Sequence, residues 1–189
     1  MQEQFVFSGF GGQGVMFVGQ LLAYAAMNEG FEVTWIPSYG PEMRGGTAHC
    51  YVIVSDRPIG SPLVRRPRTG VVFKNPSFDK YEPLVAAGGL LVRNASLIAK
   101  ASQRTDITEL AVPATSLADE LGELKLTNVI MLGATLTALP VIPLDAIQQA
   151  LDEHMPAHRR ELIDLNFRAL DRGAAFAAQA LKDKAPIGA

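Results

Sequence analysis

Six consecutive residues carry the most chemistry in their spacing. Gly9-Phe10-Gly11-Gly12-Gln13-Gly14 sets glycines at G-x-G-x-x-G intervals, one residue after the apolar run Phe5-Val6-Phe7. Glycines let a backbone turn tightly and approach a phosphate, and the helix that follows aims free N–H groups and partial positive charge at it. A dinucleotide site of this design also needs an acidic side chain about 20 positions on, at the end of the second strand, to hold the ribose. Trp35-Ile36-Pro37 stands there instead, so NAD is not the expected ligand. No Gly-Lys-Ser/Thr follows the turn, which excludes a P-loop. Two readings of the glycines stay open on the motif alone: phosphate binding, or tight strand–helix packing. Gln13, a polar amide at a helix start, favours a ligand or a partner chain.

A second loop matches it. Ser38-Tyr39-Gly40-Pro41-Glu42-Met43-Arg44-Gly45-Gly46 has its turns set by Gly-Pro and Gly-Gly. Arg44 is the side chain type for forked binding of phosphate or carboxylate. Glu42 is its alternative partner, which would make the pair an internal clasp. The rigidity and polarity of the loop favour a ligand or subunit contact over that clasp.

The elements that position these loops alternate between strand and helix. Gln4 to Ser8 reads as a short central strand, and Gly12 to Glu29 as a helix apolar nearly all round, stopped by Gly30. Further strands are predicted at 31–36, ended by Pro37, and at 48–55, 70–74, 89–93 and 107–112. Helices are predicted at 76–85, 113–122, 128–139, 144–155 and 160–184. The pattern specifies an α/β fold: a Rossmann-like, mostly parallel sheet with helices on both faces, in a single domain over 1–185, with 186–189 a short tail. In such sheets a ligand sits outside the carboxyl ends of the strands. Both loops follow strands, so they are expected on one edge, facing each other.

Composition narrows the function. The 189 residues are 48% hydrophobic, ample for a core, and the net charge of -2 gives no footprint for nucleic acid or an anionic membrane. The longest apolar segment, 129–139, is too short to span a bilayer, and no secretory signal is seen, so a cytoplasmic protein is expected. A lone cysteine, Cys50, can ligate neither an iron–sulfur cluster nor a structural zinc, and the three histidines are scattered. No metal site and no catalytic residue is assigned. His49 and Cys50 should point to opposite faces of their strand, with Cys50 buried and structural.

Taken together, Gly9 to Gly14 and Pro37 to Gly46 closely resemble the gamma subunit of the 2-oxoacid:ferredoxin oxidoreductases. The resemblance continues through Thr47-Ala48-His49-Cys50, Ile59-Gly60-Ser61-Pro62, Asn75-Pro76-Ser77, Gly88-Gly89 with Asn94, Asn128 before Leu132-Gly133-Ala134, and Asn166 with Gly173. It implies a subunit that is inactive alone, in a complex turning a 2-oxoacid and coenzyme A into acyl-CoA and CO2 with electrons passed to ferredoxin. Thiamine-binding alpha and beta subunits and a ferredoxin-like delta subunit are the implied partners. They would hold the thiamine diphosphate and the iron–sulfur clusters, and this chain would bind no cofactor firmly. Coenzyme A is the implied cosubstrate, with Gly9, Gly11, Gly12, Gln13 and Gly14 on one side and Ser38, Tyr39, Gly40, Glu42, Arg44, Gly45 and Gly46 on the other, some of them touching protein instead.

The second loop is most similar to the 2-oxoglutarate branch, then to the pyruvate and branched-chain branches, and least to the indolepyruvate branch. Thr69 departs from relatives that open that strand with an acid. The run Arg65-Arg66-Pro67-Arg68 reads as a solvated loop ahead of a grip on the 3′-phosphate of coenzyme A. Asn166 and Gly173 share one side of the last helix and are expected to serve packing. Two rival readings are a freestanding module for a flavin or nucleotide, and a purely structural subunit. The isolated chain, its partner face exposed, is expected to form a homodimer.

Overall fold

A computed structural model describes residues 1–39, 47–155 and 157–184. Gly40, Glu42, Arg44, Gly45 and Gly46 of the second loop lie outside the described residues, as does the 186–189 tail.

Six strands form one sheet: β1 (Gln2–Phe10), β2 (Glu32–Tyr39), β3 (Thr47–Ser55), β4 (Thr69–Val72), β5 (Leu90–Asn94) and β6 (Thr108–Val112), in the order β2-β3-β1-β4-β5-β6. The α-helices are α1 (Val15–Asn28), α2 (Asn75–Tyr81), α3 (Ala114–Glu120), α4 (Thr127–Ala138), α5 (Leu144–His154) and α6 (Ile163–Lys184). The sheet is mostly parallel, as the alternation of elements implied. β1, β4, β5 and β6 pair in parallel, while β3 runs antiparallel between β1 and β2. That reversal was not expressed in the hydrophobic pattern, because alternation fixes which face a side chain takes and not which way a strand runs.

β2 differs from expectation in one more respect. Pro37 does not end it: the strand runs on to Tyr39, with Pro37 opposite Cys50. β2 is the sheet edge, where a residue without an N–H costs no ladder bond on the open side.

Parity along β1 divides the core. Phe5 and Phe7 join the large cluster under α1, α3, α4, α5 and α6, whereas Val6 joins a smaller cluster with Phe78 and Tyr81 of α2. All three are fully buried, each worth roughly 1.5–3 kcal/mol in apolar burial. Helix α4 is buried along most of its length, consistent with its apolar sequence. It crosses α6 with the two backbones in contact. A Cβ on Gly133 would collide with the Leu170 carbonyl, and one on Gly173 with the Ile130 carbonyl. The pairing of 133 with 170 and 130 with 173 makes the crossing antiparallel and explains why glycine stands at both positions. No described helix is long and apolar enough to cross a membrane.

Candidate functional site

The carboxyl end of β1 and the end of β2 lie on one edge, where Phe10 pairs with Thr47 and Tyr39 with Ala48. The expected shared edge is therefore present at the level of the strands that carry both loops.

The glycine turn is closed by its own glutamine. The Gln13 N–H donates to the Phe10 carbonyl at 3.2 Å, and the Phe10 N–H donates to Gln13 Oε1 at 2.8 Å. Gly9 leaves room for that side chain, since a Cβ there would sit 2.6 Å from Gln13 Oε1. Gln13 thus spends its carbonyl on shaping the turn. Gly14 is the N-cap of α1 with φ 71°, left-handed backbone that favours glycine. A Cβ would also strike the Asn128 amide, whose Nδ2 donates to the Gly14 carbonyl at 3.2 Å.

What this turn presents is a helix start with unspent donors. The first described α1 amide bonded back into the turn is Val18, to the Gly14 carbonyl. No side chain caps the end and no acidic residue sits in the first turn. The N–H groups of Val15, Met16 and Phe17 therefore lack the intrahelical acceptors that later residues have. Gly11 and Gly12 are exposed, and nothing lies within 4 Å of where a Gly12 Cβ would be. A Lys74 ammonium rests 4.6 Å from the centre of the Phe10 ring, which adds positive charge beside the turn.

Gly12 and Gly14 also form one wall of a cavity of about 310 Å3. Phe17, Leu126, Met155 and Leu162 supply its apolar lining. The polar lining comes from Glu123 and Lys125 on the stretch before α4, Asn128 in the first turn of α4, and Asn166 on α6. Sequence reasoning singled out neither lysine and gave Asn166 a packing role only. Asn128 and Asn166 did appear among the family-like residues, and that was the available signal. Asn166 Nδ2 donates to the Leu162 carbonyl at 2.7 Å, and Asn128 holds the turn through its bond to the Gly14 carbonyl.

The other residues singled out lie on β2, β3 and the approach to β4. Ser38, half-buried, ends up opposite His49, and Tyr39 closes β2. Cys50 and His49 do point to opposite faces. Cys50 is buried under α1, donating to the Val15 carbonyl at 3.4 Å. Burial pushes its thiol up to about 12, which keeps it a structural thiol. His49 packs instead against Tyr51 and Tyr81 on the other face. Burial, then the nearby Lys80 charge, lowers its pKa, so it is neutral at pH 7. Arg68 immediately precedes β4, at the amino edge opposite the turn, 3.6 Å from Glu3. That placement favours the solvated-loop reading of 65–68. Among the described residues no group of three His, Cys, Asp or Glu could hold a metal.

Comparison with known proteins identifies the family. The chain is 37% identical over 177 residues to ketoisovalerate oxidoreductase subunit VorA of Methanothermobacter marburgensis, covering 93% of this chain and 36% of that one. It thus spans about a third of the length of that relative. It is 32% identical over 166 residues to 2-oxoglutarate synthase subunit KorC of Methanocaldococcus jannaschii, covering 85% and 88%. The fold matches the crystal structure of a keto/oxoacid ferredoxin oxidoreductase gamma subunit from Geobacter sulfurreducens with a TM-score of 0.84 at 26% identity, over 95% and 98% of the two chains. The family model described as pyruvate ferredoxin/flavodoxin oxidoreductase matches residues 4–176, and the chain belongs to that family.

Proposed function

We propose that this chain is the gamma subunit of a 2-oxoacid:ferredoxin oxidoreductase, with 2-oxoglutarate as the substrate of the complex. The observation that carries the reading is the nearly end-to-end likeness to KorC, a whole subunit of matching length. The higher identity to VorA favours a branched-chain 2-oxoacid as the second reading. Thiamine-binding alpha and beta subunits, a ferredoxin-like delta subunit and ferredoxin are the partners in this proposal. They hold the thiamine diphosphate and iron–sulfur clusters, for which this chain's single buried thiol is unsuited.

Coenzyme A is the ligand we assign to the carboxyl edge. Its phosphates suit the unspent N–H groups of Val15 to Phe17, with Lys74 beside Phe10 and Lys125 in the cavity lining as cations of this region. When bound, its thiol accepts the acyl group formed in the partner subunits. This chain's part is to hold and orient the coenzyme: the turn fixes the phosphates, and Arg44 on the second loop supplies a forked contact or a subunit contact.

Co-expression with the products of neighbouring reading frames tests the assembly. The expected result is a purified complex that reduces ferredoxin with 2-oxoglutarate and coenzyme A, faster than with pyruvate or a branched-chain 2-oxoacid. Ferredoxin reduction by the isolated chain, or failure of any thiamine-binding subunit to co-purify, would overturn it. Calorimetry addresses the freestanding-module rival: tight FMN or NAD binding without coenzyme A binding would favour that module.

A further inference from the structure

We propose that a second cavity, at the amino edge of the sheet, binds a primary ammonium group carried on an alkyl chain. It lies at the end of the parallel strands away from the glycine turn and is independent of the coenzyme A reading.

The strand register builds its floor. Thr69, Leu90 and Thr108 open the parallel strands β4, β5 and β6 and pair with one another in that order. Thr69 also pairs with Phe5, so its side chain takes the Phe5 face of the sheet. Glu3, two residues before Phe5 on β1, takes the same face. That face is the one covered by α4 and α6. Ala138 at the end of α4, Leu139 after it, and Leu181 in the last turn of α6 line the space above these residues. The cavity holds about 150 Å3.

Two buried oxygens of its lining have nothing to bond. Glu3 and Thr69 are 9% and 1% exposed, and neither Glu3 Oε2 nor Thr69 Oγ1 has a hydrogen-bond partner among the described residues. Arg68 does not fill the gap. Its Nε stands 3.6 Å from Glu3 Oε2, longer than a hydrogen bond, and its side chain is 55% exposed. Buried polar atoms are rarely left this way, and an occupant that supplies the missing donor is favoured.

The surroundings set the sign of that occupant. Glu3 supplies a carboxylate, and the carboxyl ends of α4 and α6 add partial negative charge. No basic side chain stands in the last turn of α4 to offset it. Backbone donors nearby are spent: the Gly88 N–H on the Asp106 carbonyl, that of Gly89 on Ala86, and that of Leu90 on Arg68. An anion would find only Arg68, beside a carboxylate. A cation bearing N–H groups satisfies both Glu3 and Thr69. A bare metal ion fits less well, since one carboxylate and one hydroxyl fall short of an oxygen shell. Leu90, Ala138, Leu139 and Leu181 give apolar walls for an alkyl stem. Arg68 is then the competing cation, exposed enough to swing aside. The ammonium comes from a free amine or from a lysine of a partner subunit.

Ligand-observed NMR and melting curves on the full chain test this, with n-butylammonium as the probe and n-butanol as its uncharged counterpart. Butylammonium should bind saturably and raise the melting temperature, and butanol should bind roughly tenfold more weakly or worse. Glu3→Gln should weaken butylammonium by roughly tenfold or more. Thr69→Val should weaken it by a smaller factor and leave the free protein at least as stable, because a methyl of the same shape replaces an unbonded hydroxyl. Arg68→Gln, at an exposed position, should tighten it, a gain that a purely structural Arg68–Glu3 pair does not predict. Absence of saturable binding to both the wild type and Arg68→Gln would overturn the assignment, as would equal binding by the wild type and Glu3→Gln. Carbodiimide coupling in the assembled complex separates the two sources. An amide between Glu3 and a partner-subunit lysine, missing in Glu3→Gln, identifies a protein ammonium. An uncoupled Glu3 in a complex that still binds butylammonium identifies a free amine. A complex that neither couples nor binds would overturn the assignment, whatever the isolated chain does.

Discussion

Two sets of glycines in this chain are used in opposite ways. At the α4–α6 crossing, Gly133 and Gly173 are filled space: each faces a backbone carbonyl that a methyl group would strike. At the turn, Gly12 faces nothing within 4 Å, and its requirement is conformational, with φ 91°. Gly14 stands between, left-handed and pressed against Asn128. The crossing glycines hold two helices together. The turn glycine keeps a surface open. The contrast locates the part of the edge where a ligand could approach the backbone.

Substitutions should separate the two sets, and the largest effect is expected at the crossing. Gly133→Ala or Gly173→Ala must push apart two buried helices, since the obstacle is backbone and cannot rotate away. A loss of about 3 kcal/mol or more is expected, read by chemical denaturation, with much of the protein insoluble. A variant that melts like the wild type would mean the helices are not in backbone contact.

Gly14→Ala comes next. The left-handed backbone costs roughly 1–2 kcal/mol, and the Asn128 amide must move as well. Asn128→Ala, which removes the bond to the Gly14 carbonyl, should cost about 1–3 kcal/mol. The two losses should be less than additive in a double-mutant cycle, because each disrupts the same contact. Strict additivity would uncouple the turn from α4.

A pH-dependent effect is expected from alkali. Cys50 titrates at about 12 in the fold against an ordinary value of 9.0, so the unfolded thiol loses its proton first. The stability this gives is complete below pH 9 and declines as pH rises toward 12. Burial raises Tyr81 as well, adding to the same decline. Melting temperature should fall over that window, and less steeply in Cys50→Ala. At pH 8 Cys50 should resist alkylation until the protein unfolds; rapid modification of the native protein would contradict its burial under α1.

The fold was largely legible because its signals are local. Gly30 stops α1 where expected, with φ 83°, and the apolar strands sit centrally. Two features were not. The antiparallel β3 is one, because a strand's direction leaves no mark on its alternation of side chains. Pro37 was read as a breaker because its tolerance depends on lying at the sheet edge, which is a property of the whole sheet. The site was half legible. The glycine spacing marked the turn, but Lys125, Asn128 and Asn166 reach it from more than 110 positions away, and no spacing rule spans that distance. Gln13 invited a ligand role by its polarity, yet its carbonyl closes the turn.

In the function proposed above, the open glycine turn holds coenzyme A for a complex whose chemistry lies in other subunits. The Michaelis constant for coenzyme A in the assembled complex carrying Gly12→Ala tests it most directly. The substitution costs about 1 kcal/mol of backbone strain and meets no neighbouring atom, so assembly should persist. A rise of tenfold or more in the constant for coenzyme A is expected, with the constant for the 2-oxoacid unchanged. An intact complex with an unchanged constant for coenzyme A would contradict it.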